Sequence, residues 1–159
     1  MSDVVVIGIG NEFRRDDGAG LAVVAVARPR LPECVRVVES DGEPSRLLEA
    51  WAGAGTVVVA DAVRTGAPAG TIHRLELGRD ALPTARGVGS SHALGLGEAA
   101  HLGAAMGRLP ARLVLIGIEP VELGEGPGLS DAVARAVSAA ASRLVHEVET
   151  APELAERAG

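Results

Sequence analysis

Five apolar runs, each closed by glycine, proline or an acidic residue, set the rhythm of this 159-residue chain. Val4 to Ile9, Val35 to Val38, Thr56 to Ala60 and Arg112 to Ile118 are short and rich in valine, isoleucine and leucine. Such runs predict strands buried on both faces of a parallel sheet. Thr71 to Leu77 alternates instead: His73, Leu75 and Leu77 share one side, and Arg74 and Glu76 the other. That pattern predicts an edge strand with one wetter face.

Between the runs the period lengthens to that of a helix. Leu21 to Arg28 predicts a short apolar helix ended by Pro29 and Pro32. Pro44 to Trp51 predicts a second, with proline in its first turn and Leu47, Leu48 and Trp51 on one face. Ala93 to Met106 predicts a third, stopped by Gly107 and Pro110. A fourth begins at Ser130, a good N-cap, and carries Val133, Val137, Ala141, Leu144 and Val148 as one stripe. Beyond Glu149 the stripe fails. The alternation predicts a single α/β domain over residues 1–149, with a flexible tail over 150–159. Its core is a twisted, mostly parallel five-stranded sheet with helices on both faces and one antiparallel edge strand. Asp80 to Gly89 lacks a sustained period and reads as a mobile loop.

Composition narrows the function classes. A formal net charge of -6, with no basic run beyond Arg14-Arg15, argues against a nucleic-acid groove. Phe13 and Trp51 are the only aromatics, too few for a base-stacking platform. Cys34 is alone, so no intrachain disulfide forms, and it reads as a small apolar filler at the start of a strand. The first apolar run is too short to cross a membrane, and a cytoplasmic location is expected.

The residues suited to chemistry follow strands or open helices. Asp16 and Asp17 come after the first strand, Asp41 after the second, Asp61 after the third, and Ser90-Ser91-His92 before the third helix. Ligands in open α/β sheets bind beyond the carboxyl ends of strands, so the sheet has the means to gather these groups. Two carboxylates and an imidazole suit nickel or zinc. Simpler roles compete: one of Asp16 and Asp17 fits a helix cap, with Asp16 the better choice, Asp61 and Asp41 fit turn residues, and His92 fits a structural helix start. His73, His101 and His146 read as strand-face or helix-surface residues. Gly8-Ile9-Gly10 resembles the start of a dinucleotide fingerprint, but Phe13 stands where the third glycine belongs.

Taken jointly, Gly8-x-Gly10-Asn11 with Asp16-Asp17-Gly18-x-Gly20, Asp61-Ala62-Val63, Ser91-His92-x-Leu94-Gly95-Leu96 and Ile116-Gly117-Ile118-Glu119-Pro120 resemble the hydrogenase maturation endopeptidases. The resemblance runs from Val4 to about Val148. It implies a peptidase that removes a C-terminal extension from a nickel-iron hydrogenase large-subunit precursor and recognises the nickel already inserted there. The family's metal-binding positions fall on Asp17, Asp61 and His92; from the site's location, Asp17 or Asp41 is expected to act as general base on a water, or the metal to lower that water's pKa. Nickel comes with the substrate; no organic cofactor, nucleic acid or membrane partner is implied. Gly42-Glu43-Pro44 departs from the family's Gly-Gly-Thr. A resident zinc, a non-catalytic nickel-dependent chaperone and a peptidyl-tRNA hydrolase-like enzyme are the alternatives. The last lacks its histidine motif here.

Overall fold

The computed structural model describes residues 3–77, 91–121 and 124–158, with side chains throughout except at 91–94. The expected loop from Asp80 to Gly89 lies outside the described residues. Strands β1 (Asp3–Ile9), β2 (Arg36–Ser40), β3 (Ala54–Ala62), β4 (Ile72–Leu77) and β5 (Arg112–Ile118) form one sheet in the order β2-β1-β3-β5-β4. Every pairing is parallel except β4 with β5, so the alternating segment is the antiparallel edge strand. The α/β fold expected from the sequence is the fold observed.

Side-chain alternation divides the core in two. Val4, Val6, Val58, Ala60, Val114 and Ile116 face α1 (Ala19–Ala27) and α4 (Asp131–Glu149). Val5, Ile7, Val57, Val59, Leu113 and Leu115 face α2 (Pro44–Ala50) and α3 (Ser91–Ala105). Because both sheet faces are covered, the central strands carry no polar alternation. Trp51 is fully buried in the second layer, where its Nε1 has no hydrogen-bond partner among the described residues.

Glycines bring α1 unusually close to the sheet. A Cβ on Gly20 would lie 2.3 Å from the Ala60 carbonyl oxygen and 2.4 Å from that of Ile9. Both obstacles are backbone and cannot swing aside. The helix therefore rests directly across the ends of β1 and β3 and fixes the turn that precedes it.

Two expectations are corrected. Cys34 is exposed in the turn before β2 rather than filling the core, because Val35 takes the inward position. Past Glu149 the chain does not fray: Pro152–Ala158 forms α5. Ala151 is buried, and the Thr56 hydroxyl donates to the buried Glu153 carboxylate at 2.8 Å. The anchor is this long-range hydrogen bond, which apolar periodicity cannot reveal.

Candidate active site

From β1 the chain moves outward to β2, then returns past β1 to place β3 on its other side. The crevice between the carboxyl ends of β1 and β3 is thus the topological switch point, the usual ligand position in such sheets. Asp17 and Asp61 are the carboxylates at that crevice.

Asp17 lies in a 3-10 turn, Arg15–Gly18, between β1 and α1. Its N–H donates to the Arg14 carbonyl at 3.0 Å, and its own carbonyl accepts the Asn11 N–H at 3.3 Å. A Cβ on Gly10 would stand 2.1 Å from that carbonyl oxygen, so glycine at the strand end is what admits the turn. The side chain is 4% exposed. Asp61 is the penultimate residue of β3 and pairs with Gly117 of β5. It is 2% exposed, and its Oδ1 accepts the Ala62 N–H at 2.8 Å. By alternation with Val57 and Val59 it points to the layer of α2 and α3.

His92 is the second residue of α3; its side chain is outside the description. A Cβ on Gly95 would lie 2.0 Å from the Gly42 carbonyl oxygen, so the first turns of α3 press on the loop after β2. Among the described residues no three histidine, cysteine, aspartate or glutamate side chains group as metal ligands.

Asp41, in that same loop, is of a different kind. Its side chain is 57% exposed and is ion-paired with Arg46. The Glu43 N–H, bonded to Oδ1 at 3.1 Å, holds its carboxyl below the ordinary range; burial opposes this, and Arg46 adds to the lowering. The departure at Glu43-Pro44 has a local purpose: the Glu43 carboxylate accepts the Ser45 and Arg46 N–H groups and caps α2.

Asp16 does not cap α1, whose N-cap is Gly18 with no side-chain hydrogen bond. Its fully buried carboxylate instead accepts the Ser130 N–H at 2.7 Å, the Ser130 hydroxyl at 2.8 Å and the Val121 N–H at 2.8 Å. Ser130 is the N-cap of α4 by position, yet its hydroxyl is spent on Asp16 and makes no capping bond. The β5–α4 loop is thereby tied to the turn that carries Asp17.

These arrangements can be set beside known proteins. Residues 24–147 match the family described as hydrogenase maturation protease (HycI). The chain belongs to the hydrogenase maturation protease family. It is 33% identical over 130 residues to the hydrogenase expression/formation protein HupD of Thiocapsa roseopersicina, covering 79% of this chain but 58% of that relative's length. The hydrogenase maturating endopeptidase HybD from E. coli shares the fold, with a TM-score of 0.81, 24% identity and 92% coverage of both chains. The [NiFe] hydrogenase maturation protease HybD from Thermococcus kodakarensis is 27% identical, with a TM-score of 0.72 over 89% of this chain and 95% of its own.

Glu119, part of a motif in the sequence, and His73, expected only as a strand-face residue, meet in a polar cluster. Glu119, just past β5, is buried and accepts the Thr65 N–H and hydroxyl and the Gly66 N–H at 2.8 to 3.1 Å. His73 Nε2 lies 2.9 Å from its Oε2. Burial raises the Glu119 carboxyl, but His73 and the Thr65 and Gly66 donors outweigh it and bring the balance below the ordinary value. The cluster holds the connection that leaves Asp61. A carboxylate immediately after an apolar strand was the available signal, the same one that marked Asp61.

Proposed function

We propose that this chain is an endopeptidase that removes a C-terminal extension from a nickel-iron hydrogenase large-subunit precursor. The observation that carries the reading is the pair of buried carboxylates, Asp17 and Asp61, at the switch point of a hydrogenase maturation protease-family fold. Carboxylate oxygen and imidazole nitrogen are donors that suit nickel. Asp17, Asp61 and His92 recognise the nickel carried by the precursor, and that contact orients the peptide to be cut. A carboxylate then takes a proton from the attacking water, which adds to the scissile carbonyl carbon; the protonated carboxyl returns that proton to the leaving nitrogen as the C–N bond breaks and the extension departs as the free amine. Asp17 suits the base role better than Asp41, whose carboxyl is exposed, held low and ion-paired with Arg46. The proposed setting is the cytoplasm; among the described residues no helix is long and apolar enough to cross a membrane.

Mass spectrometry of the nickel-loaded precursor before and after incubation tests the reading. Asp17→Asn, Asp61→Asn and His92→Ala each abolish loss of the extension while leaving circular dichroism unchanged. Full processing by the His92 variant overturns the recognition site. A wild-type chain that binds the precursor without shortening it is a nickel-dependent chaperone instead.

A further inference from the structure

Phe13 is held as though for presentation. Its N–H donates to Asn11 Oδ1 at 3.0 Å, and its carbonyl accepts the Gly126 N–H at 2.8 Å. The next turn is fixed as well: Arg15 adopts a left-handed φ of 51°, and its N–H donates to the Gly126 carbonyl at 2.9 Å. Yet the ring is 67% exposed. A chain with a single phenylalanine and a single tryptophan has buried one and placed the other in water on a fastened turn.

That ring borders a groove of about 470 Å³ whose apolar wall is Leu21, Ala22, Ala25 and Leu129. Its rim carries Glu12 and Glu39, which have no ion-pair partner among the described residues, whereas the Arg15 guanidinium is turned toward the Glu125 and Pro127 carbonyls. The groove is continuous with a second cleft of about 360 Å³: Leu21 and Glu39 line both, and the second reaches Gly10, Ser40, Asp41 and Arg46, whose guanidinium is ion-paired with Asp41. Gly10 is the residue against which the Asp17 carbonyl is seated. A path therefore runs from Gly10, just past β1 and beside the turn that carries Asp17, over Leu21 and Glu39, to Phe13.

We propose that this path binds an extended segment of the protein substrate, with a bulky apolar side chain against Phe13 and Leu129 and a basic side chain between Glu12 and Glu39. The assignment rests on the endopeptidase reading for the identity of that substrate. Charge complementarity selects the basic residue, because two unpaired carboxylates on the rim of an apolar groove attract a cation and repel an acidic segment. The fastened turn favours binding because little freedom is lost there when the segment docks.

The test pairs calorimetric titration of the intact, nickel-loaded precursor with the cleavage assay, using Phe13→Ala, Glu12→Gln/Glu39→Gln and the wild type. Phe13 is exposed and the carboxylates are unpaired, so the variants fold. Dissociation constants rise about tenfold for Phe13→Ala, as for an aromatic hot spot. The double glutamate variant also binds more weakly and loses part of the salt dependence. In the cleavage assay the losses fall on KM rather than kcat. Unchanged affinity in both variants overturns the groove. Weakened binding by the variants, with no cleavage by the wild type, supports the groove and removes the endopeptidase reading.

Discussion

Asp16 and Ser130, 114 positions apart in sequence, are joined through both carboxylate oxygens of Asp16: the Ser130 N–H reaches Oδ1 at 2.7 Å and its hydroxyl reaches Oδ2 at 2.8 Å. With the Val121 N–H on Oδ2, this side chain fastens the β5–α4 loop to the turn holding Asp17. Asp16→Ala leaves those part-buried donors without their acceptor. It lowers stability by on the order of 3 kcal/mol, measured as a fall in the denaturant midpoint. A loss of activity with unchanged stability would instead place Asp16 in the chemistry.

Gly95→Ala tests whether the seat of α3 matters to the site. The new methyl meets the Gly42 carbonyl at 2.0 Å, a backbone obstacle, and the start of α3 has to move. Such overpacking costs about 1–3 kcal/mol. Because His92 lies one turn earlier, precursor processing falls at temperatures where circular dichroism still reports a folded chain.

Acid sensitivity follows from Glu147. Burial raises its carboxyl, but hydrogen bonds and charge from Arg74 and Arg112 bring it below the ordinary value of 4.5. A depressed carboxylate stabilises the fold in full above that value, and the contribution is lost as pH falls through the depressed one. The same sign holds for Glu119. Thermal scans between pH 7 and 3 show the wild type losing stability below about pH 4.5, and Glu147→Gln, less stable at pH 7, losing less over that range. Parallel pH profiles for the two proteins would refute the linkage.

Thr56 and Glu153 provide a measure of how firmly α5 is docked. Thr56→Val and Glu153→Ala each remove one partner of a buried hydrogen bond. In a double-mutant cycle they are non-additive by about 1 kcal/mol, read from urea unfolding. Additive effects would show that the helix end is loosely held.

Much of the fold was legible because its signals are local. Valine-rich runs, proline and glycine stops and the alternation of Thr71 to Leu77 each report the environment of their own segment, and β5 falls on Arg112–Ile118 as expected. Asp61 was expected to follow its strand but lies inside it, since β3 extends to Ala62 through pairing with Ile118. Ser130 was legible as the start of α4, but not the use of its hydroxyl.

The sequence by itself determined the kind of fold, the strand ends at which carboxylates would collect, and the residues Asp17, Asp61 and His92 worth proposing. Only the tertiary structure decided the division of labour: Asp16 as fastener beside Asp17, Glu119 as the hub of the loop after β3, Glu153 as the anchor of the last helix, and Phe13 as a fixed, exposed ring. The reason is physical. Periodicity along a chain records which face of a segment is buried, whereas a hydrogen bond between residues 54, 97 or 114 positions apart exists only once the order of strands has set their ends side by side.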